Sequence, residues 1–81
     1  MDLDEPVQVG VLCAPGQIRP VWFRWGGRKV EIKAVTMRWR SAQGRVLLSH
    51  FAVTDGLNLY ELTVNHDSLT WRLTKTDGTD P

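Results

Sequence analysis

Only one cysteine, one tyrosine, two phenylalanines and two histidines occur in 81 residues. The lone Cys13 cannot close an intramolecular disulfide, and no C-x-x-C pair offers a metal or redox centre. Long apolar runs are absent too, and none approaches the roughly 18–20 residues of a membrane-spanning helix. The acidic opening, residues 1–6, has neither a basic n-region nor an apolar h-region, so no secretory or transit signal is expected, and a cytoplasmic location is. Charge of one sign is also lacking, since the formal net charge is +1. With 42% hydrophobic and 23% charged residues, the chain is excluded from the disordered and collagen-like classes. A chain this short holds one core.

The near-neutral total is a cancellation. Asp2, Asp4 and Glu5 give residues 1–5 a charge of −3. Residues 6–50 carry Arg19, Arg24, Arg28, Lys29, Lys33, Arg38, Arg40 and Arg45 against Glu31 alone, a charge of +7. Residues 51–81 carry Arg72 and Lys75 against Asp55, Glu61, Asp67, Asp77 and Asp80, again −3. Such a division can leave a basic face on the folded domain.

Strands and turns dominate the pattern. Val7, Val9, Val11 and Cys13 alternate with Gln8, Gly10 and Leu12, and a Pro15-Gly16 turn follows. Val21, Phe23 and Trp25 point one way, and Trp22 and Arg24 the other. Gly26-Gly27 suits a type I′ or II′ hairpin, after which Val30 and Ile32 resume the alternation. Apolar parity then changes from Val30, Ile32 and Ala34 to Val35, Met37 and Trp39, which predicts a bulge or bend near Ala34 and Val35. A helix over 33–40 competes on the Val35/Trp39 spacing, but Val35, Thr36 and Trp39 are poor helix formers. A turn at 41–44, a strand over 45–54, an Asp55-Gly56 hairpin, a strand over 57–64, a turn at 65–68 and a strand over 69–74 complete the reading. The expected fold is all-β: a small antiparallel meander of five to six strands, barrel-like or strongly bent. Residues 1–5 are expected as a disordered acidic N-terminus, 6–75 as the single β domain and 76–81 as a flexible tail.

Trp25, Trp39 and Trp71 are expected in the core, where each removes about 150–250 Å² from water. Trp22 shares parity with Arg24 on the opposite face. It is therefore an exposed residue with three open roles: a plain surface contact, a partner hot spot or a base-stacking platform. Arg24, Lys29, Lys33, Arg38 and Arg40 fall on the expected solvent sides of successive strands. Together with Trp22 they are the candidate nucleic-acid-binding residues, because Lys and Arg neutralise phosphates while an aromatic stacks on bases. The alternative for the cations is a solvated face balanced by Glu31 and Glu61.

Catalysis and cofactors find little support. His50 has only Ser49 beside it, and neighbours on a strand face apart. His66 and Asp67 read as turn chemistry without further metal ligands, Asp55, Glu61 and Asp67 form no evident facing pair, and Gly26-Gly27 is too short to cradle a phosphate. No enzyme activity, metal or cofactor is expected.

Pro20, Phe23, Trp25, Gly26, Arg28, Val30, Ile32, Val35 and Arg38-Trp39, with Phe51, Val53, Thr54-Asp55-Gly56, Tyr60-Glu61-Leu62 and Trp71-Arg72-Leu73, form a pattern across residues 19–75. It resembles a small bacterial all-β family whose members often lie beside genes for Y-family translesion DNA polymerases. The resemblance implies a barrel-like scaffold and a DNA-repair context, and it supplies no catalytic residue. Two functions are therefore expected as alternatives. One is a non-catalytic accessory module binding single-stranded or duplex nucleic acid; the other docks on a polymerase or repair protein through a sheet edge or exposed aromatic. No membrane partner is expected, and the chain is read as a monomer or weak homodimer.

Overall fold

Gly26 and Gly27 both adopt positive φ, 59° and 79°, the pair of values that a type I′ hairpin turn demands. In the computed structural model, which describes residues 2–77, this turn joins β2 (Gln17–Trp25) to β3 (Arg28–Glu31). The remaining strands are β1 (Asp2–Ala14), β4 (Ala34–Gln43), β5 (Val46–Thr54), β6 (Leu59–Asn65) and β7 (Trp71–Thr76). All pair antiparallel in one sheet of order β3-β2-β1-β7-β6-β5-β4. Among the described residues no helix is long and apolar enough to cross a membrane.

The long β1 joins two halves of the sheet. Its first half pairs with β7, from Asp2 opposite Lys75 to Val7 opposite Trp71, and its second half pairs with β2 from Gln8 onward. The sheet folds over so that Phe23, Trp25 and Val30 of one half pack on Phe51, Val53, Tyr60, Leu62, Val64 and Leu73 of the other. Tyr60 is the junction: its ring meets Phe23 at 5.1 Å and Trp25 at 6.3 Å, both edge-on. Period-2 alternation buries one face of β2, β3 and β5, as expected for Phe23, Trp25 and Val30.

Several expectations change. The sheet has seven strands rather than five or six, and it is bent but not closed into a barrel. The stretch read as one strand breaks at Ile32 and Lys33, whose N–H groups donate to Val21 O at 3.0 Å and Thr54 O at 2.7 Å. These two bonds turn the chain from one edge of the sheet to the other. The acidic opening is not a disordered tail, because residues 2–5 form the start of β1, where Glu5 accepts a 2.8 Å hydrogen bond from the Trp25 indole and Asp4 pairs with Arg72. Of the tail expected over 76–81, Thr76 ends β7 and is buried, and residues 78–81 lie outside the described residues.

A further change concerns parity. A bulge does occur beside Ala34 and Val35, but it lies between Val35 and Met37. Val35 therefore faces inward opposite Val53, whereas Met37 and Trp39 turn outward and Arg38 and Arg40 turn inward, opposite Phe51 and Ser49. Trp39 leaves the expected core and is 37% exposed, stacked on His50 at 5.2 Å. One extra residue reverses every side chain after it.

Two local features carry predictions. Trp22, expected exposed, is half-buried because its indole lies against Gly10, where an added Cβ would stand 2.1 Å from Trp22 Nε1. Gly10→Ala is expected to push the ring off the sheet at a cost of about 1–3 kcal/mol, the usual range for overpacking. A wild-type urea midpoint together with an unshifted Trp22 indole resonance would contradict this.

Asp55 organises the β5–β6 turn. Its Oδ1 accepts from the N–H of Leu57 (2.8 Å) and Asn58 (2.7 Å), and its Oδ2 accepts from the Tyr60 hydroxyl (3.0 Å). Burial alone raises the Asp55 pKa, but the hydrogen bonds from Asn58, Leu57 and Tyr60 outweigh it and hold the carboxyl below its ordinary value. Burial also raises the Tyr60 pKa, so the hydroxyl stays a donor. A depressed carboxyl contributes stability that is present above its unfolded pKa and is lost as pH falls through the folded one. Asp55→Asn is therefore expected to unfold at lower urea than wild type at pH 7, with the gap narrowing below about pH 4, near the unperturbed aspartate value. A gap of constant size across that range would refute the assignment.

Candidate functional site

The break between β3 and β4 opens a hollow on the inner side of β4. Strand β3 pairs with β2 only at 22–25, so residues 17–20 of β2 have no strand beside them on that side. Strand β4 diverges across the gap. A single side chain spans it: Arg38 Nη1 donates to Ile18 O at 3.2 Å. The resulting cleft, about 730 Å³, is floored by Phe51 and Ser49 and walled by Ile18, Arg38, Arg40 and His66. Among the described residues no Asp or Glu lines it.

Two guanidinium groups thus share an acid-free hollow. Arg38 lies over the Phe51 ring, 5.7 Å from its centroid, and uses one of its five N–H donors on Ile18. Arg40 makes no hydrogen bond or ion pair among the described residues. Leu69, 75% exposed at the cleft rim, holds a φ of 58°, a left-handed conformation rare for a leucine. Cys13, a free exposed thiol, also stands at the rim.

The six candidate nucleic-acid-binding residues fall into separate groups. Arg24 and Lys29 share the outer face of β2 and β3 with Trp22. There Lys29 Nζ sits 5.1 Å from the Trp22 ring centroid and 3.4 Å from Glu31. With Gly10 beneath the indole and Lys29 over it, a base could stack on Trp22 only by displacing the lysine. Lys33 stands in the β3–β4 connection, its Cγ near Gly56. Arg38 and Arg40 face the cleft on the inner side of β4, because of the bulge.

Sequence reasoning missed two serine–histidine contacts. Ser49 and His50 do face apart, and each finds another partner. Ser49 Oγ lies 2.6 Å from His66 Nε2 at the cleft floor, and His50 Nε2 lies 2.7 Å from Ser41 Oγ on the outer face. Ser41 was expected within a turn; the actual turn is the shorter Gly44-Arg45, which extends β4 to Gln43 and sets Trp39 opposite His50. A two-residue hairpin centred on Gly44 was the signal that could have found the contact. No group of three or more potential metal ligands occurs among the described residues.

No family model, curated protein or solved structure matches this chain.

Proposed function

We propose that the domain is an accessory module that binds a single strand of nucleic acid in the cleft between β2 and β4. One observation carries this reading: Arg38 and Arg40 project from the same side of β4 into a hollow that no carboxylate lines among the described residues. Guanidinium groups bind phosphate oxygens bidentately, and the absence of acids leaves both charges available. Ile18, half-buried at the cleft wall, supplies apolar surface against which a base can lie. A duplex suits the cleft less well, because its phosphates lie on the outside of a rod wider than the gap between two strands. A single-stranded ligand also accords with the DNA-repair context implied by the resemblance over residues 19–75.

The test is fluorescence anisotropy of a labelled oligothymidylate titrated with the whole chain at several salt concentrations. Binding is expected at low salt, with log affinity falling by about 0.7 per phosphate contacted for each decade of salt. Absence of binding at low salt, or affinity indifferent to salt, would overturn the proposal.

A second reading rests on the other side of β4. Its ten residues form an edge with no strand beyond it, free of proline and bearing Met37 at 61% exposure. Such an edge can accept a strand from a partner protein. Partner capture that survives Arg38→Ala and Arg40→Ala but is abolished by Met37→Pro would favour this reading over the first.

A further inference from the structure

The outer face carries an ordered row of hydrogen bonds across four strands. From β4 to β7 it runs Ser41 Oγ, His50 Nε2 and Nδ1, Thr63 Oγ1, Thr74 Oγ1 and Glu61, with separations of 2.7, 2.9, 3.3 and 2.5 Å. Taken as one continuous chain of hydrogen bonds ending on Glu61, the row sets the direction of each proton. The oxygens of Glu61, side chain and main chain alike, only accept, so Thr74 donates to them. Its single proton is then spent, and Thr74 must accept from Thr63. Thr63 in turn accepts from His50, which places the imidazole proton on Nδ1. Nε2 is left with a bare lone pair, and the Ser41 hydroxyl donates to it.

This is the arrangement that activates a serine: a nucleophile within reach of a base whose tautomer is held by a further group. Ser41 is exposed, whereas Thr63 is 7% exposed, so the supporting end of the row is shielded and the reactive end is open. Trp39 stacks on the imidazole at an interplanar angle of 13°, and an aromatic face favours the cation formed when the ring takes a proton. The other serine–histidine pair lacks this support, since His66 Nδ1 has no hydrogen-bond partner among the described residues. Beside His50 lies a shallow groove of about 410 Å³ that Gln43 and Asn65 also line.

We infer that Ser41 is the nucleophile of a second, hydrolytic site on the outer face, with His50 as general base and small neutral carboxylic esters as its substrate class. Ser41 Oγ attacks the ester carbonyl carbon while its proton passes to His50 Nε2. The carbon–oxygen bond to the alcohol breaks, and the alcohol leaves with that proton. Water then repeats the sequence, releasing the acid and restoring Ser41. Thr63, Thr74 and Glu61 are positioning residues. Ser41 and the Thr63–Thr74–Glu61 row do not line the cleft, and the site does not depend on nucleic-acid binding.

Labelling of the whole chain with a fluorophosphonate, followed by peptide mass spectrometry, is expected to place the adduct on Ser41. Ser41→Ala should abolish burst hydrolysis of p-nitrophenyl acetate while retaining oligonucleotide binding. His50→Gln should slow hydrolysis by about 10²–10⁴-fold, the usual contribution of a general base. Thr74→Val should lower kcat with little change in KM, and the imidazole ¹⁵N spectrum of His50 should change from Nδ1-protonated to a mixture of tautomers. An unlabelled Ser41, a Ser41→Ala variant as active as wild type, or a wild-type His50 protonated at Nε2 alone would overturn the inference.

Discussion

Phe23→Ala is expected to remove about 3–5 kcal/mol of stability, the range for truncating a buried phenylalanine. The side chain is fully buried, with Val9 and Val30 opposite it on the two neighbouring strands. Its ring edge also meets Tyr60 at 5.1 Å. The resulting cavity cannot close easily. Tyr60 is tied through its hydroxyl to Asp55, and β2 is held on both sides by ladders, so neither wall is free to collapse inward. A domain of 81 residues has a total stability of about 4–12 kcal/mol at 0.05–0.15 kcal/mol per residue, so a loss of this size takes away a large share of it. Urea unfolding followed by tryptophan fluorescence measures the effect. Trp39→Ala serves as the contrast, because that indole is 37% exposed and buries less surface despite its size. A midpoint loss for Phe23→Ala no larger than that for Trp39→Ala would contradict the described core.

Joint replacement of Arg38 and Arg40 by alanine is expected to weaken oligonucleotide binding by about two orders of magnitude or more at low salt. A hydrogen bond to a charged group is worth about 1.5–3 kcal/mol, and two are removed. The salt slope should fall by about 1.4, because two phosphate contacts of a single strand disappear. Folding should be little affected, since both side chains are exposed and, among the described residues, their only internal hydrogen bond is the one from Arg38 to Ile18 O. Arg24→Ala, on the opposite face of the sheet, should weaken binding far less. Equal losses for Arg24→Ala and for the double variant would show that charge matters without the cleft, and would return the outer face of β2 and β3 to consideration.

Much of the fold was legible because strand and turn chemistry are local. Gly26-Gly27 could be read as a tight turn from composition alone, and Phe23, Trp25 and Val30 as one buried face from spacing. The break at Ile32 and Lys33 was not legible. Its two hydrogen bonds reach Val21 on one edge of the sheet and Thr54 on the other, residues that no local pattern brings together. The start of β1 was hidden for a similar reason. Asp2, Asp4 and Glu5 look like a solvated tail until Arg72 and the Trp25 indole supply partners from strands distant in sequence.

The candidate sites depended even more on pairing. Ser49 and His50 were rightly read as facing apart, yet their partners His66 and Ser41 are set by the registers of β5 with its neighbours. The chain by itself determined that this protein is all-β, with a basic middle, four tryptophans and glycine-marked turns, because those properties follow from composition and a period of two. The tertiary structure alone decided that Arg38 and Arg40 line a cleft while Trp39 lies outside on His50. The reason is physical: parity along a strand is local, but the bulge between Val35 and Met37 is settled by how β4 pairs with β5, and it reverses every side chain beyond it.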